Sequence, residues 1–348
     1  MVGKPGLLYD PPAGERRFTG TRMASVPVPA AAAVGWRGEE SLVKWTEESA
    51  RRGMANLLVV YVVWGSTFLA IGIAVRGPYG TPPMILGFIR MVLGGGILAG
   101  MAALARQALR VPGRQLAWTG LAGLLLWVGA NGLIMVAERH LATGYAALMM
   151  GMVPLLVSMI DLLVGRQRPS WSLFVGMGFG CAGLVVLSNV SAQIRGGHVL
   201  DVLWMLLAAI AQAGSLVVQR TRLRAVPPLV SAAWQEWLAA PVFLGLAWVA
   251  HEPWPHWDAA TGAAALYLVV VGALAYASFA AAVRLLPMTI AGTYAFVNPV
   301  IAVFLGALVL GEPLTWRTAG GGALLLMGVA GVLRTPGTSG SVSVVEAG

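Results

Sequence analysis

The sequence predicts an all-α polytopic membrane protein with ten transmembrane helices arranged as two inverted five-helix repeats. Three observations lead there. The chain is 58% hydrophobic and only 11% charged, against roughly 25% charged residues in soluble domains. Ten apolar stretches each approach the roughly 20 residues needed to cross the hydrocarbon core. An internal echo recurs at an offset of 145 residues: Pro82-Pro83 falls on Pro227-Pro228, Arg139 on Arg284, Pro154 on Pro299, Trp171 on Trp316, Gly176 on Gly321 and Gly183 on Gly328. Each copy holds five spans, and an odd number turns the second copy upside down in the bilayer.

Residues 1–52 mix Pro, Gly, Ala and charge without apolar periodicity and read as a disordered cytoplasmic tail. They lack the short apolar core and small-residue cleavage site of a signal peptide. Met23 and Met54 are further candidate starts. The first repeat covers 55–190, with spans at 55–75, 83–105, 115–137, 142–164 and 170–190. The second covers 201–334, with spans at 201–219, 228–250, 261–283, 288–310 and 315–334. Residues 335–348 are Gly/Ser/Thr-rich and read as a second disordered tail. Short connections make neighbouring helices antiparallel. Pro82-Pro83 and Pro227-Pro228 open the second span of each copy, where a missing backbone N–H costs little. Pro154 and Pro299 lie inside the fourth span of each copy and should kink it. They are hinge candidates; the alternative is a kink that only shapes packing.

Orientation follows from the basic residues. Arg51, Arg52, Arg106, Arg110, Arg114, Arg166, Arg168, Arg220, Arg222, Arg224, Arg284 and Arg334 fall on one side. Arg76, Arg139, Arg195 and Arg317 fall on the other. Twelve against four places both termini of this multi-pass protein in the cytoplasm. The net charge of +9 does not point to nucleic acid, because the basic residues flank apolar runs and form no patch with interleaved aromatics. The single cysteine, Cys181, cannot make an intrachain disulfide. Gly is abundant, at 45 residues, which suits close helix packing in lipid.

Several motifs resemble a known family. Tyr61-Val-Val-Trp-Gly-Ser-Thr-Phe68 is similar to the opening of EamA-type permeases of the drug/metabolite transporter superfamily. Pro82-Pro83 followed by Phe88-Ile-Arg90 resembles that family's second span. Ala137-Glu-Arg-His140, Gly144-Tyr-Ala-Ala147 and Pro154 resemble its third-to-fourth-span junction. Tyr294-Ala-Phe-Val-Asn-Pro299 and Leu310-Gly-Glu-Pro313 resemble its ninth span and its end. The resemblance covers about 55–334 and implies two inverted five-helix halves and export of small metabolites, amino acids and related compounds among them. The first copy departs from the pattern: Val164-Gly-Arg-Gln-Arg168 stands where the family often has Gly-Glu, so only Glu312 remains.

Polar groups inside a bilayer are expensive, so each marks a candidate site. Arg90 lies eight residues into its span, about 11 Å deep by helical rise. Glu138 closes the third span on the same side, and an Arg90–Glu138 ion pair is the first expectation, either locking two helices or contacting substrate. Glu236 is nine residues into the seventh span, and its neighbour Gln235 is the repeat mate of Arg90. Glu236 can carry a proton in an antiporter, or be a neutralised or paired structural group. Asp161 is expected to form an interfacial salt bridge with Arg166 or Arg168. Trp64, Ser66, Thr67, Asn131, Gln212, Tyr294 and Asn298 are candidates for lining a substrate cavity, with interhelical hydrogen bonding as the alternative for each. Gly96…Gly100 and Gly176…Gly180 imply close packing.

The loop His251-Glu-Pro-Trp-Pro-His256-Trp-Asp258 mixes ligand types and prolines, a poor pattern for a metal, so no metal and no cofactor are expected. The expected partners are membrane lipid and a small-molecule substrate, with proton coupling open. A polytopic membrane enzyme acting on lipid is the chief rival. No His-Glu-x-x-His, Gly-x-Ser-x-Gly or paired intramembrane aspartates are present to support it. A channel would favour charge rings or a filter motif, and neither is visible.

Overall fold

The computed structural model describes residues 47–76, 79–164, 170–194, 199–286, 290 and 293–333, without the side chains of 187–194, 280, 283–284, 296 and 332–333. Most of both predicted tails lies outside these residues. The described residues contain no strand and fall into ten helical rods. In chain order these are α1 (Glu47–Val75), α2 (Pro83–Leu104), α3 (Gly113–Ala137), α4 (Thr143–Leu163) and α5 (Trp171–Ile194). Then follow α6 (Val199–Arg222), α7 (Pro228–Val249), α8 (Ala259–Leu285), α9 (Tyr294–Leu310) and α10 (Trp316–Leu333). Seven of them, α1–α4 and α6–α8, are long and apolar enough to cross a membrane. Within α5 and α9 the shorter stretches Trp171–Val186 and Val297–Leu310 are apolar too.

Helix ends follow local chemistry. α1 starts at Glu47, well inside the stretch expected to be a tail. Glu47 and Glu48 in its first turn complement the helix dipole, and Arg52 pairs with Glu48 one turn on. α2 and α7 open alike. Pro82 and Pro227 occupy the N-cap positions at φ −54° and −56°, with Pro83 and Pro228 starting the helices. Asp258 caps α8 through a reciprocal capping box with Thr261, whose backbone N–H and then hydroxyl hold the Asp258 carboxyl below its usual range. Glu252, in the loop after α7, accepts hydrogen bonds from the N–H groups of Met84 (3.2 Å) and Ile85 (2.9 Å), so it caps α2. Two acids of the mixed His/acid loop are thus committed to helix caps.

Two helices are irregular. α3 winds as a π-helix over Leu124–Gly132. α4 breaks at Gly151–Met152, and Pro154 opens its second piece, which runs Val153–Leu163. Pro154 offers no N–H to the turn before it, so the break falls there. Pro299 instead lies inside α9, which is assigned as helix throughout.

Packing pairs α1 with α8, α2 with α7, α5 with α10, α3 with α6 and α4 with α9. In lipid, apolar burial does not drive helices together, so small residues and close backbone approach matter more. A Cβ on Gly183 would sit 2.7 Å from the Gly321 carbonyl, and one on Gly328 would sit 2.6 Å from the Gly176 carbonyl. α5 and α10 therefore meet backbone to backbone, through the glycines that echo at the repeat offset. Gly96 and Gly100 have no neighbour at their Cβ positions, so the close packing expected there is absent.

Candidate functional site

α2 and α7 cross through glycines on α2. Gly87 lies against the Phe243 ring, Gly94 against the Glu236 carboxylate and Gly95 against Trp237. That crossing brings Arg90 and Glu236, 6% and 5% exposed, into one buried region. Gly94 is one turn from Arg90 on the same face, so the carboxylate it accommodates lies about 6 Å along the helix from Arg90. Arg90 and Glu236 are the opposite charges that act on each other here. Among the described residues no salt bridge joins them, and Arg90 Nη1 and Glu236 Oε2 have no hydrogen-bond partner. The Arg90 guanidinium lies 5.9 Å from the centre of the Trp127 ring. Trp127 belongs to the π-helical part of α3, as does Asn131, whose amide donates to the Leu126 carbonyl (3.0 Å). Tyr276 of α8 lies within the field of Glu236.

The expected Arg90–Glu138 ion pair is not formed. Depth along a helix, which suggested it, says nothing about direction around the axis. Arg90 faces α7, whereas Glu138 faces Arg76 and Glu312. Asp161 does form a salt bridge, but its partner is Arg220 of α6 at 2.5 Å. Arg166 and Arg168 lie outside the described residues. Gln235 donates to Ser231 on its own helix (2.9 Å).

A second group gathers between α1, α8 and α9. The Trp64, Phe279 and Tyr294 rings are mutually in contact, with centroids 4.9, 5.1 and 5.4 Å apart. Ser66 bonds the Tyr267 hydroxyl at 2.6 Å, and its contacts to the Val62 and Val63 carbonyls, like that of Thr67 to Val63, stay within its own helix. Tyr61 bonds Thr293. Asn298 of α9 is buried with its Oδ1 unpartnered. Gln212 of α6 is half-buried.

A third group is ionic and joins the ends of α1, α3 and α9 to the start of α4. Gly311 ends α9 in the left-handed region (φ 64°), and the Glu312 N–H bonds back to the Gly306 carbonyl at 3.1 Å. That turn directs the Glu312 carboxylate onto the N-terminus of α4. There it accepts from Thr143 N–H (2.8 Å), Thr143 hydroxyl (3.0 Å) and Gly144 N–H (3.1 Å). Arg76 donates to the same carboxylate at 3.1 Å, to the Glu138 carbonyl at 2.6 Å and to the Leu141 carbonyl. Burial alone would raise the Glu312 carboxyl. The amides of Thr143 and Gly144 and the Arg76 guanidinium outweigh it, and the group is held below its usual range. The sequence singles out Glu312 as a motif and Arg76 only as a topology marker; the left-handed glycine between helix and acid is the signal that could have linked them.

The model of the EamA-like transporter family matches residues 51–189 and again 200–334. The chain belongs to the EamA-like transporter family. An uncharacterized inner membrane transporter, YedA of Escherichia coli K12, is 32% identical over 266 residues, 74% of this chain and 83% of its own. The uncharacterized transporter YwfM of Bacillus subtilis strain 168 is 23% identical over 288 residues, 80% of this chain and 93% of its own. A solved crystal structure 20% identical aligns with a TM-score of 0.57 over 82% of this chain and 96% of that one, a likeness of fold.

Proposed function

We propose that this protein is a secondary transporter of the bacterial inner membrane that moves a small amphipathic metabolite, an amino acid or related compound, by alternating access, most often outward. Ten transmembrane helices form two inverted five-helix halves with both termini in the cytoplasm. The double family match and the packing pattern support this, because exchanging helix n with helix n+5 maps α1·α8 onto α6·α3 and leaves α2·α7, α4·α9 and α5·α10 unchanged. Membership of a transporter family weighs against the membrane-enzyme reading.

The observation that carries the function is the buried Arg90–Glu236 couple, with polar atoms left unpartnered on both sides. An unsatisfied buried charge costs several kcal/mol in hydrocarbon, roughly. Such a site persists where something else satisfies it for part of a cycle. A guanidinium can hold an anionic group, a carboxylate a cationic one or a proton, and Trp127 offers an apolar face beside them. Trp64, Tyr294 and Asn298 supply a second polar-aromatic lining, and the break at Gly151–Met152 in α4, with Pro299 inside the continuous helix α9, marks where the paired fourth spans can bend. Uptake of labelled amino acids and related metabolites into inverted membrane vesicles tests this, with wild type, Arg90→Leu and Glu236→Gln. Wild type should accumulate at least one compound and Arg90→Leu should not. Equal transport by wild type and both variants would sink the assignment of this site.

A further inference from the structure

Resting on the transporter reading, the ionic group at the junction of α1, α3, α4 and α9 has a chemistry of its own. Three charged side chains meet there, Arg76, Glu312 and Glu138. Arg76 and Glu312 satisfy each other and the α4 N-terminus, as described. Glu138 is left over. It is 0% exposed, and neither carboxylate oxygen has a hydrogen-bond partner. All three Arg76 nitrogens are engaged elsewhere, two of them on the carbonyls of Glu138 and Leu141. The neighbouring charges on other elements do not compensate it. Asp201 of α6 is itself acidic and meets His140 at 3.3 Å, and Glu312 repels. One guanidinium against two carboxylates would leave this dry junction one charge negative.

We propose that Glu138 is a proton-binding site whose occupancy locks this end of the transporter shut. A proton adds to one Glu138 oxygen, turning the carboxylate into a carboxylic acid, and the junction becomes neutral. When α3 and α9 part, the acid meets water and releases that proton. The junction is a latch, since it holds α9 onto α4 through Glu312 and α1 onto the α3–α4 turn through Arg76. With both termini cytoplasmic it faces outward. A proton taken from outside then closes the outer face behind a departing substrate, and the same proton returns to the outside when that face reopens. Glu138 thereby makes closure of this end depend on outside pH and carries no net proton across the membrane.

The test needs no substrate. Leu141, 2% exposed and beside the latch, is replaced by Cys in a Cys181→Ala background, and the purified protein is placed in lipid nanodiscs. The rate of maleimide labelling is followed from pH 5 to 9 and divided, at each pH, by the rate for the same cysteine in the SDS-unfolded protein, which removes the thiolate's own rise with pH; labelling below means this ratio. With Glu138 intact, labelling should rise with pH, approaching about tenfold per pH unit where the closed form alone holds the proton. Glu138→Gln should label slowly at every pH, and Glu138→Asp should keep a pH-dependent rise with a displaced midpoint. His140→Gln should behave as wild type, separating Glu138 from the adjacent histidine. A rise that survives Glu138→Gln, or one abolished by His140→Gln instead, overturns the proposal. Should Glu138→Gln not fold, an Asp variant with an unmoved midpoint overturns it equally. Failure of vesicle uptake would count against the transport reading, while the labelling profile reports on the latch alone.

Discussion

Replacing Glu312 by Gln removes the charge that the latch is built around while keeping its shape. The carboxylate accepts three hydrogen bonds from Thr143 and Gly144 and one from Arg76. A glutamine oxygen can keep some of these, but its NH2 group then points donors at donors, and Arg76 loses its partner. The side chains of Arg76 and Glu312 are only 12% and 6% exposed, so solvent screens little of the loss. Breaking a buried pair from one side costs about 3–5 kcal/mol, and the isosteric change belongs at the low end, about 3. A chain of this length melts about 2 °C lower per kcal/mol, so the midpoint should fall by about 6 °C. Scanning fluorimetry in detergent at pH 7 measures this. The sign with pH follows from the depressed Glu312 carboxyl. Its contribution is complete above the unfolded value near 4.3 and is lost as pH falls through the lower folded value. The gap between wild type and Glu312→Gln should therefore be full at neutral pH and close towards pH 3. A folded Glu312→Gln protein melting within about 1 °C of wild type at pH 7 would refute the reasoning.

Other consequences follow from the same geometry. Gly328→Ala should destabilise by about 1–3 kcal/mol, because its Cβ would sit 2.6 Å from the Gly176 carbonyl and the Gly180 nitrogen. Gly96→Ala, with open space around it, should be neutral or slightly stabilising in the same melting assay. Glu252→Ala should loosen the start of α2 by about 1 kcal/mol, seen as faster hydrogen exchange at the Met84 and Ile85 amides. Gly94→Val should displace the Glu236 carboxylate and reduce transport without preventing membrane insertion, measured by vesicle uptake against protein level.

The helices were legible in the sequence wherever one local cause decides. Proline pairs start α2 and α7, and apolar runs of spanning length mark the rods. α1 begins early because two acids and an Arg–Glu pair extend it, features that read as tail when only hydropathy is weighed. Depth of a polar residue was readable from its position, and azimuth was not. The position of Arg90 shows that it is deep, but the acid it faces is selected by the α2–α7 crossing, which glycines 87, 94 and 95 permit. Asp161 found Arg220 across a helix interface for the same reason. The π-helical turn holding Trp127 and Asn131 left no mark, since nothing in Leu124–Gly132 departs from an ordinary apolar helix. The role of Glu312 is a contact between distant segments, invisible until α9 and α4 are placed together.

Alternating access is the centre of this account, and exchange tests it most directly. Proteoliposomes holding the purified protein would be preloaded with unlabelled common amino acids, and influx of each labelled counterpart followed. A carrier that exposes one site to one side at a time returns faster when loaded. At least one compound should therefore enter faster into preloaded vesicles than into empty ones, and Arg90→Leu should abolish the difference. Influx that is indifferent to the internal load, or no influx above protein-free vesicles for any compound, would contradict the account.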